Sequence, residues 1–276
     1  MKDKNKDKIK ETVKNLLILS VLAFAFLPLL VMIIISFKDN TQFVNSPFIP
    51  SLPMHFENWS KAFFIVLPYI GNSIFVSISS CALCLTAALC TAYVFARFEF
   101  MFKEVLWYLM ISLIFMPGIM NLIPLFVIMK DLNFLNSLLG LILLYATMGQ
   151  VLCVFVLRSF IEEIPEELFE AAEMDGASFF HQIINVVLPM TGSILGTLGI
   201  MNFIGSWNAF IEPLVFLNDR NKQLLPVVLM DLNGEYVKQW GQLMASYSIA
   251  AIPLIIIFAF SMKLFVKGLA SGAVKG

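Results

Sequence analysis

Uncharged apolar stretches alternate along this chain with short segments that carry the charged residues. Each stretch is at least 20 residues long. A helix rises about 1.5 Å per residue, so 20 residues span about 30 Å, the thickness of the hydrocarbon core of a bilayer. We therefore predict an all-α, polytopic membrane protein with six spans, at residues 16–37, 69–96, 105–129, 138–157, 186–211 and 243–262.

The third stretch carries helix-breaking residues in its middle, namely Pro117, Gly118 and Pro124. Because proline removes a backbone donor and clashes with the preceding turn, we predict that this helix is kinked or interrupted. Broken helices persist at membrane depth only where protein or a water-filled cavity satisfies the freed backbone groups. Residues 116–124, with Asn121, are therefore a candidate part of a substrate pathway. The alternative is a kink that only aids packing.

The segment from Ile161 to Pro189 departs from the pattern and predicts two short helices instead of a span. Pro165 is favoured in a first helical turn, where its missing N–H has no partner, and Asp175-Gly176 predicts the end of the first helix. Ser178 is a candidate N-cap for the second helix, whose apolar residues recur at one-turn spacing. Pro189 is expected to break or kink that second helix.

This part of the chain is also strongly acidic, with one basic and seven acidic residues from Arg158 to Asp175. Glu166, Glu170 and Glu173 share one face of the first predicted helix. Ala171-Ala172 lies in a narrow apolar stripe whose small side chains allow another surface to approach closely. We call residues 158–189 the acidic segment.

The acidic segment resembles the EAA loop of ATP-binding-cassette importer permeases, which has the same spacing of Glu170-Ala171-Ala172, Gly176 and Leu188-Pro189. The only departure is Val186, where isoleucine is usual. In that family the loop is a cytoplasmic coupling helix pair that docks in a groove of the ATPase subunit. The alternative is an ordinary acidic surface loop. The resemblance implies an ATPase-coupling role for Glu170, Ala171, Ala172, Asp175, Gly176, Leu188 and Pro189.

Nearly the whole chain resembles one branch of this family, the MalG-like permeases of bacterial carbohydrate importers. The chain departs from the branch at Cys90, where a small alanine is common, and at Glu212, where a leucine is common. The stretches that carry the resemblance are 72–73 (NS), 91–97 (TAYVFAR), 123–126 (IPLF), 207–214 (WNAFIEPL) and the C-terminal residues 265–276.

The resemblance implies the six-helix type I importer permease (MetI-like) fold and a set of partners. These partners are a second homologous permease in a heterodimer, two copies of an ATPase subunit that binds ATP and magnesium, and an extracellular solute-binding protein. This chain itself would bind no cofactor. The ligand would be a sugar or oligosaccharide, whose hydroxyls and ring faces suit amide, hydroxyl and indole groups. We therefore select as candidate substrate contacts Asn121, Asn202, Trp207 and Asn208.

The composition agrees with a membrane protein, since 59% of the residues are hydrophobic, 13% are charged and the mean hydropathy is +0.87. So little charge does not cover a soluble globule of this size. A net charge of −1 and a pI near 6.1 argue against nucleic acid as a partner. Cys81-x-x-Cys84 lies in an apolar stretch without a second pair of ligands, so we predict no metal site.

The distribution of basic residues predicts the orientation in a bacterial cytoplasmic membrane. The two termini, the turn at Arg97 and the acidic segment carry 12 Lys and Arg, whereas the opposite side carries 6. Because basic residues favour the cytoplasmic side, we predict that both termini and the acidic segment lie inside. Residues 1–15 then form a cytoplasmic tail, and residues 16–276 form a single transmembrane permease domain. The loop 212–242 then faces outward, where it would meet the binding protein.

Three other classes of function fit less well. An enzyme needs ionisable or nucleophilic groups in its site, yet the six stretches contain no charged residue, His55 and His181 lie outside them, and the phosphate-binding pattern G-x-x-x-x-G-K is absent. An ion-coupled secondary transporter is the stronger rival, but it usually needs intramembrane ionisable groups or inverted repeats. A purely structural membrane protein would not need an acidic, alanine-faced loop.

Overall fold

A computed structural model describes the backbone of residues 2–234 and 238–273 and the side chains of residues 10–234 and 238–260. Helices dominate these residues, and no strand occurs among them. The α-helices are α1 (Lys2–Ser36), α2 (Asn40–Asn45), α3 (Glu57–Arg97), α4 (Lys103–Ser112), α5 (Leu122–Asp131), α6 (Leu138–Met148), α7 (Gln150–Glu162), α8 (Glu166–Met174), α9 (Phe179–Gln182), α10 (Leu188–Trp207), α11 (Ile211–Phe216), α12 (Leu225–Gly234) and α13 (Trp240–Ala273).

Up to six of the apolar helical stretches in the described chain are long enough to cross a membrane. Four are single helices, over Lys10–Ser36, Glu57–Arg97, Phe179–Trp207 and Trp240–Phe260. Two more are bent pairs, α4 with α5 and α6 with α7. The predicted all-α fold is confirmed for the described residues, and the predicted number of six spans is reached when each bent pair counts as one span.

The predicted interruption of the third stretch is confirmed, since Lys103–Phe115 and Gly118–Asp131 meet at an angle of 101°. Met116 and Pro117 are extended, with ψ of 119° and 123°. The conformation of Met116 follows from Pro117, because a proline ring excludes the helical region for the residue before it. Pro124 lies in the first turn of α5, where its missing N–H would have no partner.

The fourth stretch, predicted as one helix over 138–157, is instead bent by 43° and continues to Glu162. The bend falls at Gly149, between α6 and α7. A side chain at Gly149 would have its Cβ 2.1 Å from Asn202 Oδ1 and 2.8 Å from Cys84 Sγ. At the bend the backbone of Gly149 therefore lies directly against α3 and α10, which leaves no room for a side chain.

Of the break or kink predicted at Pro189, the break does not occur, because one continuous helix runs over Phe179–Trp207. A π-helical turn at Ile183–Val187 directly precedes α10, in which Pro189 is the second residue. The wider turn changes the hydrogen-bond register ahead of the proline, so its missing N–H and its ring are accommodated without a break. The fifth predicted span, 186–211, accordingly begins earlier, at Phe179, and ends earlier, at Trp207.

Several other boundaries differ from the predicted ones. The second predicted span, 69–96, lies inside the longer α3, which begins at Glu57. The predicted polar loop 212–242 contains most of α11 and all of α12 among its described residues. Leu217, Leu224 and Leu225 are each 1% exposed. Burial of these leucines is what orders the segment, since each buried side chain contributes about 1.5–3 kcal/mol.

The chain forms two compact units, of which the first comprises Met1–Leu67 and Leu229–Ile252. In this unit the ammonium group of the buried Lys38 donates hydrogen bonds to the carbonyl oxygens of Ser46 and Ile49. Asn40 donates from Nδ2 to the Lys238 carbonyl oxygen at 2.8 Å and accepts from the Trp240 N–H at 3.0 Å. These bonds fix the connection after α1 to the start of α13.

The second unit comprises Pro68–Val228 and Pro253–Gly276 and contains the acidic segment. One apolar cluster of buried side chains joins α3, α7, α8 and α10. Its members include Ala88, Ala92, Val154, Leu157, Phe169, Val187 and Leu198. Alanines on α3 let the helices approach closely, as is usual between membrane helices.

Candidate functional site

The acidic segment presents its first helix, α8, with a charged outer face and one buried anchor. Glu166, Glu167 and Glu170 are exposed, whereas Phe169 is only 3% exposed. Glu166 and Glu167 stand in the first turn, where carboxylates are favoured by the helix dipole. Pro165 immediately precedes the helix instead of lying within its first turn. The helix is thus held by one side and offers acidic residues on the other.

The end of α8 is fixed by a left-handed glycine. Gly176 has φ of +76°, and no other residue of the acidic segment has a positive φ. Its N–H donates to the Glu173 carbonyl oxygen at 2.9 Å, and the Ala177 N–H donates to the Ala172 carbonyl oxygen at 2.9 Å. These two bonds make a Schellman motif, which satisfies carbonyl groups that the helix end leaves free. The predicted stop at Asp175-Gly176 is confirmed.

The second part of the acidic segment begins with α9, for which Ser178 occupies the predicted N-cap position. The Ser178 carbonyl oxygen accepts from the Gln182 N–H at 3.0 Å. The Ser178 hydroxyl does not cap a backbone N–H and lies 3.2 Å from His181 Nδ1. The helix therefore starts at the predicted residue, but the Ser178 carbonyl oxygen makes the first bond and the hydroxyl does not cap the helix.

An open depression of about 470 Å³ lies between the two helices of the acidic segment. Of the residues matching the EAA loop, Ala172, Asp175 and Gly176 line it. Glu170 and Ala171 are exposed, and Leu188 and Pro189 are exposed at the start of α10. The remaining lining residues are Ala177, Ser178, His181 and Asn185. The predicted coupling residues thus divide between an exposed acidic face and an adjoining recess.

A separate cavity of about 430 Å³ lies beside the bend at Gly149. Its polar groups come from four different parts of the second unit. They belong to Ser80, Tyr145, Asn202, Ser206 and Glu212. The apolar part of the wall includes Met148, Leu152, Met201 and Ala209.

Two of these polar groups are not used by the protein itself. Tyr145 is 8% exposed, and its hydroxyl has no hydrogen-bond partner among the described residues. Glu212 forms no ion pair with any described residue. By contrast, Ser206 Oγ donates to the Asn202 carbonyl oxygen at 3.0 Å. The residues of the cavity wall therefore include a tyrosine with a buried, unpartnered hydroxyl and a carboxylate acceptor.

Asn202 is the one residue of the four predicted substrate contacts that lines this cavity. Its Nδ2 donates to the Leu198 carbonyl oxygen at 3.0 Å and to Cys153 Sγ at 3.0 Å. Its Oδ1 lies against the backbone of Gly149. The amide is thus committed to the packing of α7 and α10 as well as to the cavity wall.

The other three predicted contacts lie outside this cavity. Trp207 is 3% exposed and stacks on Phe203 with ring centroids 5.7 Å apart. Asn208 is exposed and donates to the Ile204 carbonyl oxygen at 3.0 Å. Asn121 is exposed at the start of α5. Sequence reasoning missed Tyr145 and Glu212, although the unusual carboxylate at position 212 was a usable signal.

Comparison with known proteins identifies the fold. The chain superimposes on a chain in the crystal structure of a bacterial ABC transporter involved in the import of the acidic polysaccharide alginate, with a TM-score of 0.81. The match covers 94% of this chain and 97% of that chain at 20% sequence identity. The predicted importer-permease fold is confirmed.

Sequence comparison identifies the family. Residues 86–271 match the model of the binding-protein-dependent transport system inner membrane component. The chain is 35% identical over 265 residues to the probable ABC transporter permease protein YurM of Bacillus subtilis, covering 94% of this chain and 87% of YurM. It is 30% identical over 251 residues to the diacetylchitobiose uptake system permease protein NgcG of Streptomyces coelicolor, covering 89% and 82%. The chain therefore belongs to the family of inner-membrane components of binding-protein-dependent transport systems.

Proposed function

We propose that this chain is the permease subunit of an ATP-driven importer that moves a sugar or oligosaccharide across the cytoplasmic membrane. It pairs with a second, homologous permease, receives its ligand from an extracellular solute-binding protein, and has both termini in the cytoplasm. Two copies of a separate ATPase subunit bind ATP and magnesium. The acidic segment docks on the ATPase through Glu170, Ala171, Ala172, Asp175 and Gly176. Leu188 and Pro189 lie in the helix Phe179–Trp207, which carries the motion into the membrane.

The geometry of the acidic segment is the observation that carries this proposal. Its first helix is anchored by Phe169, ended by Gly176 and acidic on its exposed side. An exposed carboxylate such as Glu170 suits a charge-assisted contact with a basic groove. The segment is also continuous with α7 on one side and with Phe179–Trp207 on the other. A displacement of the docked helix is therefore passed to two apolar helices.

A sugar ligand is supported by the cavity and by the relatives. A sugar hydroxyl both accepts and donates hydrogen bonds, which suits the unpartnered Tyr145 hydroxyl and the unpaired Glu212 carboxylate. The apolar wall suits the faces of a sugar ring. NgcG is described as part of a diacetylchitobiose uptake system, and we extend a carbohydrate ligand of this general class to the present chain.

The test is reconstitution of the complete transporter in liposomes with its binding protein. Complexes with the wild-type chain should hydrolyse ATP faster when the binding protein is added, and ATP inside the liposomes should drive sugar uptake. Glu170→Ala should release the ATPase or leave hydrolysis without uptake, whereas Glu104→Ala, an exposed change on α4, should not. Uptake that follows an ion gradient and ignores ATP, or a Glu170→Ala complex that behaves as wild type, would contradict the proposal.

A further inference from the structure

The last turns of α3 hold the acidic segment although the chain does not connect them directly. Tyr93 and Arg97 are one helical turn apart and therefore project from the same face of α3. The acidic segment begins in the last turns of α7, so α4 to α6 and most of α7 lie between it and α3 in sequence. The contacts between α3 and this segment are thus entirely tertiary.

Arg97 holds α8. Its guanidinium carbon lies 4.0 Å from the ring centroid of Phe169, the buried anchor of α8. Its Nη2 lies 3.7 Å from Glu166 Oε1 in the first turn of the same helix. The Arg97 side chain is 18% exposed, whereas that of Glu166 is 76% exposed, so the contact with the buried Phe169 ring is the better shielded of the two interactions. A guanidinium suits this place because its flat face stacks on a ring while its edge faces a carboxylate.

Tyr93 holds the second part of the segment. It is 1% exposed, and its hydroxyl donates a hydrogen bond to Gln182 Oε1 at the end of α9. Gln182 Nε2 in turn donates to Glu173 Oε1 of α8 at 3.4 Å. The Tyr93 ring also stacks on Phe169, with centroids 6.0 Å apart, and contacts Phe179 at 5.2 Å. One side chain of α3 therefore touches both helices of the acidic segment.

Simple packing does not require this arrangement. A phenylalanine at position 93 would keep the ring contacts, yet a buried hydroxyl and a buried amide are used instead. Polar groups in a buried network fix one geometry, because any displacement leaves a donor or an acceptor without a partner. The network therefore resists sliding of the acidic segment along α3 more than an apolar contact would.

We propose that Tyr93 and Arg97 are positioning residues that fasten the acidic segment to α3, so that α3 moves with α7 and α10 when the ATPase moves this segment. The proposal rests on the coupling role argued under Proposed function. Apolar packing also joins α3 to α7 and α10, and the polar contacts of Tyr93 and Arg97 add a fixed geometry to it. Motion at the ATPase then reaches a helix that the acidic segment does not join covalently.

The test measures the distance between spin labels introduced as unnatural amino acids at Ala87 on α3 and Met174 on α8, both exposed. In the wild-type transporter the distance distribution should stay narrow and unchanged between the nucleotide-free and ATP-bound states. In the double variant Tyr93→Phe, Arg97→Met it should broaden and shift with ATP. A wild-type distance that itself changes on ATP binding would overturn the proposal.

The second readout is the stimulation of ATP hydrolysis by the solute-binding protein, which needs no identified sugar. Tyr93→Phe alone should lower this stimulation about 5-fold, the effect of one lost hydrogen bond, while the ATPase remains bound because the docking face is intact. The control variant Tyr108→Phe changes an exposed residue of the same type and should behave as wild type.

The outcomes separate the two proposals. If the wild-type chain binds no ATPase, the proposed function fails, and the proposed positioning role of Tyr93 and Arg97 fails with it. If the ATPase binds and is stimulated equally in the wild type, in Tyr93→Phe and in the double variant, only the positioning role of Tyr93 and Arg97 is overturned. A loss of assembly in the double variant, with unchanged label distances and unchanged stimulation in Tyr93→Phe, would show a merely structural role and would also overturn it.

Discussion

Replacing Gly176 by alanine tests whether the fixed end of α8 is needed for docking of the ATPase. With φ of +76°, this residue occupies the left-handed region, which costs a residue with a side chain about 1–2 kcal/mol. Apart from its two chain neighbours, no atom of the described residues lies within 4 Å of the place a Cβ would take. The cost is therefore conformational and not steric, and it is larger for valine, whose branched side chain tolerates this region poorly.

In Gly176→Ala the helix end can stay closed, with the alanine strained in the left-handed region, or it can open, which relieves the strain. Opening breaks the bonds from the Gly176 and Ala177 N–H groups, each with a net worth of about 0.5–1.5 kcal/mol. These terms nearly balance the strain, so Gly176→Ala should leave closed and open ends in comparable amounts. Because only the closed end docks, the affinity for the ATPase falls in proportion to the closed fraction. The largest possible loss of affinity is a factor of about 5–30, which corresponds to the full strain of about 1–2 kcal/mol.

The assay is the equilibrium affinity of the purified ATPase for the permease pair in lipid nanodiscs. Gly176→Asn is the matched control, because asparagine enters the left-handed region at little cost. Affinity should decrease in the order wild type, Gly176→Asn, Gly176→Ala, Gly176→Val. Equal affinity for wild type and Gly176→Val, or an asparagine variant as weak as the valine variant, would refute the reasoning.

Three further predictions concern other parts of the chain. Gly149→Ala should lower the Tm of the purified permease, because overpacking costs about 1–3 kcal/mol. The control Gly192→Ala should not lower it, because the added methyl group would meet no described atom within 4 Å apart from its chain neighbours. Equal Tm values for the two variants would contradict the packing account of the bend. Tyr145→Phe should leave the Tm unchanged or higher, since the hydroxyl is unpartnered, and should raise the KM for the transported sugar about 5-fold; an unchanged KM would remove this residue from the pathway. In intact cells a membrane-impermeant maleimide should label a cysteine at Asn45 but not one at Glu173, and the reverse pattern would invert the topology.

Features set by neighbouring residues in sequence were predictable. The interruption at Pro117 and the stop at Gly176 each follow from the backbone preferences of one or two residues. The six apolar stretches follow from composition alone, because a bilayer demands about 20 apolar residues whatever the partners of each helix. Local rules therefore gave the fold class and the shape of α8.

Features set by distant residues were not predictable. The bend at Gly149 depends on Asn202 and Cys84, which come from two other helices. The continuous helix through Pro189 depends on a π-turn, for which the sequence carries no local signal. Likewise Tyr145 lies in an apolar stretch and only the packed structure shows that its hydroxyl is left without a partner. In each case the deciding contact joins segments far apart in the chain.

Under the coupling role proposed above, the same division describes what the acidic segment needs in order to transmit a force. A coupling element must keep its own shape when a partner pushes on it, and it must be attached to what it moves. The first property is local and resides in Gly176, whose Schellman bonds close α8 without help from other helices. The second property is tertiary and resides in Tyr93 and Arg97, which hold α8 and α9 from α3. Changes at Gly176 should therefore weaken docking of the ATPase. Changes at Tyr93 and Arg97 should leave docking intact and weaken only the stimulation of ATP hydrolysis by the solute-binding protein.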